Sequence, residues 1–527
     1  MNTIEQRQIE KIDIVVIGAG ISGLVATAYL AKNKRNARLY EKNQSLGGLV
    51  GTFERQGFYF DHGARAFENS GILFPMLKNL NISFDYVKNP VKLGIGTDFV
   101  DVTTKDSLES YQNLLIKYFP EEKKAIEQII KEIDHITKLI EVVYEIDNPL
   151  FYEGRYKMNY LLKTLLPWLK RFKNAQKESK SYLVSVIDYL YKYTSNQALI
   201  DIITQHFFEE SSAYFTLSYF GLYKDYLYPK KGTKTLAQVL KDAILKNDGE
   251  ITTNKTVVNI NPIAKLVTFK DGSEVTYNQL IWASDQYTLY QLIENYPRKD
   301  FKVQKELLSN SHTNESIFTL SLGLNLNKEL FEGTFGCHAF YTPSTLGLKS
   351  MTSWKDAKDL DLWVKKYLNL TTYEVSIPVL RDASLAPENQ TGVIISTLFD
   401  YDLTKHYADN GELIRLKTLM TNEILKVMNE YLKLDLTSYI KVIDIATPLT
   451  IESFNSSYKG SITGWALSNQ KMPVYTELKD IRKSVLTKIK DIYQCGQWAF
   501  APAGVPTAIL TGKLVADQVL KKKGVKR

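Results

Sequence analysis

The stretch Lys11–Val50, "KIDIVVIGAGISGLVATAYLAKNKRNARLYEKNQSLGGLV", decides the fold. "IDIVVIG", Ile12 to Gly18, is a short apolar run rich in β-branched residues, the composition of a parallel strand buried on both faces. Gly18, Gly20 and Gly23 follow in GxGxxG spacing. Gly18 permits a tight strand-to-helix turn, Gly20 lets the backbone approach a pyrophosphate, and Gly23 allows helix and strand to pack closely. From Ser22 to Lys32 the pattern is helical, with Leu24, Ala28 and Leu30 available to a sheet. Ile21 and Ser22 sit where free N–H groups and a partial positive charge would meet an anion. "ARLYE" reads as the second strand, and Glu41 ends it 18 residues after Gly23. A carboxylate there accepts hydrogen bonds from both ribose hydroxyls and repels a 2′-phosphate. Strand, glycines, helix, strand and acidic end in register predict a dinucleotide site.

Glu41 and Lys42 lead, with five residues between the acid and the glycine pair, to Gly47-Gly48 and then to "GTFERQGFYFDHGARAF", Gly51 to Phe67. This ExxxxxGG extension with its Asp61-x-Gly63 turn resembles the FAD family of amine oxidases, protoporphyrinogen oxidases and phytoene dehydrogenases. The resemblance implies FAD, with Gly47 and Gly48 beneath its pyrophosphate and the chain through Gly63 running toward the flavin. That family usually has Arg after the glycine pair; Leu49 stands here, so backbone donors must serve.

The resemblance extends over most of the chain. "LYPKKGTKTLAQVLKDAI" (Leu227–Ile244) resembles the family's turn before a helix. Gly249–Asp285 reads as alternating strands with a hairpin at Asp271-Gly272, and the resemblance places Val257, paired with Ile260, at the adenine edge through its backbone. "VSIPVLRDASLAPENQTGVIISTLFDY" (Val375–Tyr401) and "YKGSITGWALSN" (Tyr458–Asn469) resemble the carotenoid isomerase and retinol saturase branch. "IYQCGQWAFAPAGVPTAILTGKLVADQVL" (Ile492–Leu520) reads as strand, Gly496, loop, and a helix from about Pro506. In the family this helix N-terminus, here Gly504, Val505 and Pro506, points at the flavin's pyrimidine end, where its dipole stabilises charge on reduced flavin. Gln497 stands where Asp is common and can still bond a ribityl hydroxyl. Cys495 is expected to be a buried strand residue.

The implied fold is α/β: a discontinuous Rossmann-like FAD-binding domain (1–90, 225–295, 485–527) with an inserted α+β substrate-binding domain (91–224, 296–484). The implied function is an FAD-dependent oxidoreductase acting on C–C bonds of a long apolar isoprenoid, polyene or lipid substrate, by desaturation, saturation or isomerisation. Two alternatives stay open: an amine- or porphyrinogen-type oxidase, and a lipid carrier like the GDP-dissociation inhibitors, which resemble this fold yet hold prenyl groups without flavin. Arg65 is the candidate catalytic residue, placed to orient a polar head group or offset charge on the flavin; a structural ion pair is its other reading. His62 beside it would cap the turn.

Composition sets outer bounds. A chain of 527 residues needs two or more domains. Aromatic residues make up 12%, enough to line a large apolar cavity, although coding bias gives the same excess. A net charge of +8 over this length does not imply nucleic acid. Cys337 and Cys495 are far apart and the six histidines are scattered, so neither a disulfide scaffold nor a metal site is expected. "MNTIEQRQIEKID" has no apolar signal core and no run of about 18 apolar residues occurs, so a cytoplasmic protein is expected. "FYEGRYKMNYLLKTLLPWLKRFK" (Phe151–Lys173) interleaves aromatics with Arg155, Lys157, Lys163, Lys170 and Arg171. It reads either as a peripheral membrane contact, with Trp168 and the Lys stems in the interface, or as a packed helix with a basic edge. The tail "KKKGVKR" would add attraction to anionic lipid, or fray.

Overall fold

In the computed structural model, which describes residues 9–104, 106–154 and 156–521, two seven-stranded sheets organise the chain. The first grows from the opening stretch. Glu10–Ile17 lies parallel between Ala37–Tyr40 and Glu274–Trp282, and its Ile14, Val15 and Val16 are fully buried. Glu250–Thr252 continues the parallel order beyond Ala37–Tyr40, and Ile492–Gln494 pairs in parallel with Leu280–Trp282. Val257–Asn261 and Leu266–Phe269 add an antiparallel edge. The helix Ile21–Lys32, N-capped by Gly20, is buried nearly all round. It lacks an amphipathic stripe because the helices Lys234–Lys246 and Val505–Lys521 cover the sides that the sheet does not.

The second sheet runs in the order Ile440–Ala446, Ser316–Leu324, Thr391–Phe399, Tyr373–Ser376, His338–Thr342, Val91–Ile95, Asp98–Val102. It is antiparallel except between His338–Thr342 and Val91–Ile95. Period-two alternation divides its faces. Phe318, Leu320, Ala339, Tyr341, Tyr373 and Val375 form a core with Val364 and Leu368 of the helix Leu360–Leu370 and Leu416, Met420 and Ile424 of the helix Leu413–Leu432. On the other face Phe340, Glu374, Ser396 and Thr319 oppose one another across four neighbouring strands. Helices from Ser107 to Leu222 form a third apolar cluster against the strands of Val91–Val102.

Every strand of the first sheet falls within 10–17, 37–40, 250–282 and 492–494, and every strand of the second within 91–102 and 316–446. Two segments cross between them. The hairpin Thr52–Asp61 follows the glycine cluster, yet it buries Phe58 and Phe60 in the core of the second sheet. Gly323 makes room for it: a Cβ there would sit 2.7 Å from the Phe58 ring. In the other direction, Trp465 packs against Trp498 and joins Trp282 on the first sheet.

In the Phe151–Lys173 stretch, which reads either as a membrane contact or as a packed helix, the packed reading holds at Trp168. Residues 158–179 form one helical run with a π-helical turn at Leu161–Leu165. Trp168 is only 6% exposed and donates Nε1–H to the Val142 carbonyl at 2.8 Å, an oxygen left free by the end of the helix Lys123–Tyr144. Arg171 pairs with Glu145 at 2.6 Å. Trp168 is therefore a packing residue rather than an interface anchor. Its polar N–H finds a protein acceptor, which fixes the ring inward. No helix among the described residues is long and apolar enough to cross a membrane. Arg155, residues 1–8 and the basic tail beyond Lys521 lie outside the described residues.

Candidate active site

The glycine loop is shaped by close approach. Gly18 takes φ +101°, and an added Cβ would lie 2.7 Å from the Ala283 carbonyl oxygen. At Gly23 a Cβ would lie 2.0 Å from the Gly18 oxygen, so this glycine serves helix packing from behind the loop. Gly20 differs. A Cβ there meets nothing within 4 Å, because its missing side chain leaves a cradle in the cavity wall. Glu41 is fixed to this loop: its carboxylate accepts from Ala19 N at 2.7 Å and from Asn43 N at 2.9 Å. Gly47 N donates to the Ala19 carbonyl at 2.8 Å, which stitches the second glycine pair to the first.

A cavity of about 460 Å³ opens along these residues. Near the strand ends it is lined by Gly18, Gly20, Glu41, Lys42 and Val257, then by Ile21, Ser22, Gly47, Gly48 and Leu49. Farther along come Gly63, Arg65, Gly496, Gln497, Gly504 and Val505. Gly23 and Pro506, also expected at the site, do not line it; Pro506 is buried in the first turn of the C-terminal helix. The Lys42 ammonium bonds Ser453 O at 2.6 Å and Ser456 Oγ at 2.7 Å. That anchors Phe454–Ser457, a polar segment the sequence reading missed, on the same cavity. Asn455 there approaches Gly48, beside the position where Leu49 replaces the family's Arg.

The paired glycines of Tyr458–Asn469 have a physical reason too. Gly464 takes φ +83°, and a Cβ on it would come within 2.6 Å of the Gln497 carbonyl oxygen. The Arg381–Pro387 stretch is a joint rather than a lining: Arg381 stacks on Tyr228 at 3.8 Å, and Asp382 accepts from Lys231 N at 2.7 Å. His62 packs between Phe53 and Phe454 and stays outside the lining. Cys495 is buried on the cavity wall, and burial pushes its thiol up to about 12, so it carries no thiolate.

Beyond Gly63 and Gly504 the cavity continues between the second sheet and the helix Ala213–Leu222. Phe215 and Tyr219 on that helix and Tyr223 just past its end recur every fourth residue and face one way. Phe207, Phe215, Tyr219, Tyr223 and Tyr226 form a run of rings with each centroid within 6.3 Å of the next. Phe340 and His338 face them from the sheet.

A directed hydrogen-bond chain ends on this wall. Arg381 can only donate, so Asn89 Oδ1 accepts from it at 2.9 Å and Asn89 Nδ2 must donate to His338 Nδ1 at 2.9 Å. His338 therefore carries its proton on Nε2 and donates to Glu374 at 2.9 Å. Burial lowers the His338 pKa and keeps the ring neutral. Burial pushes Glu374 the other way, upward, but the His338 bond and the charges of Arg65 and Arg381 outweigh it and hold this carboxyl below its usual range. Glu68, by contrast, faces the cavity close to Gly504 with only its own backbone N–H as a stabilising partner, and burial pushes it up to about 7. Arg65 is 3% exposed; its guanidinium donates to Asp61 O at 2.6 Å and Ser396 Oγ at 3.1 Å, a carbonyl and a hydroxyl rather than a carboxylate. The sequence reading reached Arg65 but not Glu68, His338 or Glu374. The last two alternate with apolar residues along their strands, a pattern shared with an ordinary solvent-facing edge.

Residues 21–317 match the family model of flavin containing amine oxidoreductases. The chain belongs to that family. Among curated proteins it is 24% identical over 540 residues to the 1-hydroxycarotenoid 3,4-desaturase of Flavobacterium sp. (strain P99-3), covering 96% of this chain and 98% of that one. It is 23% identical over 549 residues to the all-trans-retinol 13,14-reductase of Danio rerio, covering 97% and 86%. Among solved structures, an oxidoreductase from Methanosarcina mazei superposes with a TM-score of 0.60 at 14% identity, covering 97% of this chain and all of that one, which shows a shared fold. The flavoprotein's residues fit such a cofactor: an open glycine cradle, a fixed carboxylate and a helix N-terminus lie on one continuous cavity.

Proposed function

We propose that this flavoprotein binds FAD and moves hydrogen across a C–C bond of a long, apolar polyene or isoprenoid substrate. The observation that carries the reading is the aromatic run from Phe207 to Tyr226, continuous with the glycine-lined cavity. In this reading residues 1–90, 225–295 and 485–527 hold the cofactor, and 91–224 with 296–484 shape the substrate tunnel. Gly20, Gly47 and Gly48 lie against the pyrophosphate, Glu41 against the adenosine ribose, Val257 against adenine, and Gly504 and Val505 against the flavin ring. Bound flavin supplies the hydride acceptor or donor.

Desaturation removes a hydride from one carbon and a proton from its neighbour; saturation adds both, and isomerisation uses the same geometry without net transfer. The chain's own contribution is the proton and the dryness of the site. Glu374 is held below the usual carboxyl range by the relay from Arg381, while Glu68, pushed up to about 7, holds its proton well above that range. Carboxyls whose environments drive their pKa values apart are suited to opposite acid and base roles. Arg65 helps to hold the negative charge on Glu374. The aromatic wall excludes water from the reacting bond.

Peripheral contact with a membrane belongs to the same proposal. Met158 (67% exposed), Leu162 (56%) and Leu166 (47%) recur every fourth residue on one helix, with Lys163 and Lys170 exposed among them. Leu183 and Val184 are exposed nearby in the chain, and Val184 O accepts from Ala213 N at 2.9 Å, two residues before Phe215 of the tunnel wall. An apolar patch tied in this way to the helix of the tunnel wall would draw substrate from a bilayer. The test is purification followed by flavin extraction and mass spectrometry of bound lipid. FAD together with a long-chain apolar lipid is the expected result; colourless protein, or FAD with only polar small molecules, rejects the reading.

A further inference from the structure

We infer that the tunnel contains an oxygen-binding subsite, formed by His206 and Tyr223, that takes a hydroxyl group carried by the apolar substrate. This rests on the proposed polyene reading and narrows it to an oxygenated member of that class. Two observations point there. Tyr223 is 1% exposed and its Oη has no hydrogen-bond partner; His206 Nε2 is likewise shielded and unpartnered. Both residues line the cavity, and both rings lie 5.5 Å from Phe340, so they share one part of the wall. Gln205, next to His206, adds a third such atom: Nε2 is tied to Leu370 O at 2.9 Å, which leaves Oε1 on the cavity without a partner.

Buried polar atoms left unpaired are costly, so native structures rarely keep them without a ligand or water to answer them. The chemistry of this set selects the answer. Burial holds the Tyr223 phenol protonated and lowers the His206 pKa to about 3, so both groups are neutral. A neutral phenol can donate or accept and a neutral imidazole nitrogen does one or the other by tautomer, so an alcohol, which does both, can answer either atom. Neither group carries the counter-charge that a carboxylate or an ammonium would want, and the nearby carboxylate, Glu374, is already held by His338. A pure hydrocarbon would leave each atom unpaired, which corresponds to about fivefold to a hundredfold in affinity apiece.

The experiment compares two matched pairs in the FAD-loaded protein: 1-hydroxylycopene with lycopene, and retinol with its deoxy hydrocarbon axerophthene. Binding is read by quenching of protein fluorescence in detergent micelles. The expected result is a preference of about tenfold or more for the alcohol in the pair that fits, reduced to within about twofold in Tyr223→Phe and His206→Phe. Tyr223→Phe removes an unpaired hydroxyl, so its melting temperature without ligand should not fall; a fall of several degrees would mean the hydroxyl has a structural partner and would overturn the subsite. Equal affinity for alcohol and hydrocarbon in the wild type, or a preference untouched by both substitutions, overturns it while leaving the polyene reading in place. Binding of none of the four compounds removes the polyene reading and the subsite with it.

Discussion

Replacing Glu41 with alanine removes an acceptor that serves two neighbours at once. Its carboxylate holds Ala19 N–H at 2.7 Å and Asn43 N–H at 2.9 Å, so it braces the glycine loop before any cofactor arrives. That share of the loss falls on the free and the loaded protein alike. It lowers the melting temperature but leaves affinity nearly unchanged. The ribose share falls only on the loaded protein: two hydroxyls lose a charged acceptor, which costs about 1–3 kcal/mol, or roughly fivefold to a hundredfold in FAD affinity. Glu41→Gln keeps one accepting oxygen and should lose less than alanine, and Glu41→Arg should lose more. The assay is titration of deflavinated protein with FAD by flavin fluorescence, run beside thermal melts of the same variants. FAD affinity unchanged in both the Ala and Arg variants, whatever the melts show, would refute the assignment of Glu41 to the ribose.

Three further outcomes follow from the geometry. Glu68 has a folded pKa raised from 4.5 to about 7, so its contribution is fully present below 4.5 and is lost as pH climbs toward 7; Glu68→Gln should flatten a decline of about 1–3 kcal/mol across that window, seen in urea unfolding of the flavin-free protein. A decline identical in the variant would show that Glu68 is solvated. Gly464→Ala, at φ +83° with its Cβ 2.6 Å from the Gln497 oxygen, should displace the Gln497 loop and cost about 1–3 kcal/mol; unaltered melting would mean the backbone there is freer than described. Met158→Glu/Leu162→Glu/Leu166→Glu should abolish co-sedimentation with anionic liposomes, whereas Trp168→Ala should lower the melting temperature instead. Equal liposome binding by the triple variant and the wild type would remove the membrane proposal.

What was legible in the sequence is what lies close together along the chain. Gly18, Gly20, Gly23 and Glu41 sit within one strand–helix–strand unit, where each residue's task follows from local backbone geometry. The C-terminal helix was legible for the same reason, its start at Val505 coming one residue from the expected place. The site's other wall was not. His338 and Glu374 come from separate strands and meet only through sheet register, and their alternation with Ala339, Tyr341, Tyr373 and Val375 looks the same whether the polar face meets water or a cavity. The sequence left Trp168 open between an interface and a packed helix, because its burial depends on a free carbonyl at Val142, 26 residues away. The Thr52–Asp61 hairpin followed the cofactor motif in sequence, yet Gly323 and Gly392 open a place for its phenylalanines in the opposite core.

The most direct test of the account mixes the purified holoprotein, without oxygen, with polyene alcohols and hydrocarbons in micelles. Flavin absorbance and the products are followed together, with the protein used both oxidised and chemically reduced. The account predicts that a polyene gains or loses one C=C bond per change of flavin redox state, or changes geometry with no net change. It also predicts that Tyr219→Trp, which narrows the aromatic run, suppresses the reaction while flavin stays bound. Flavin that responds to amines or porphyrinogens but to no polyene in either redox state would contradict it.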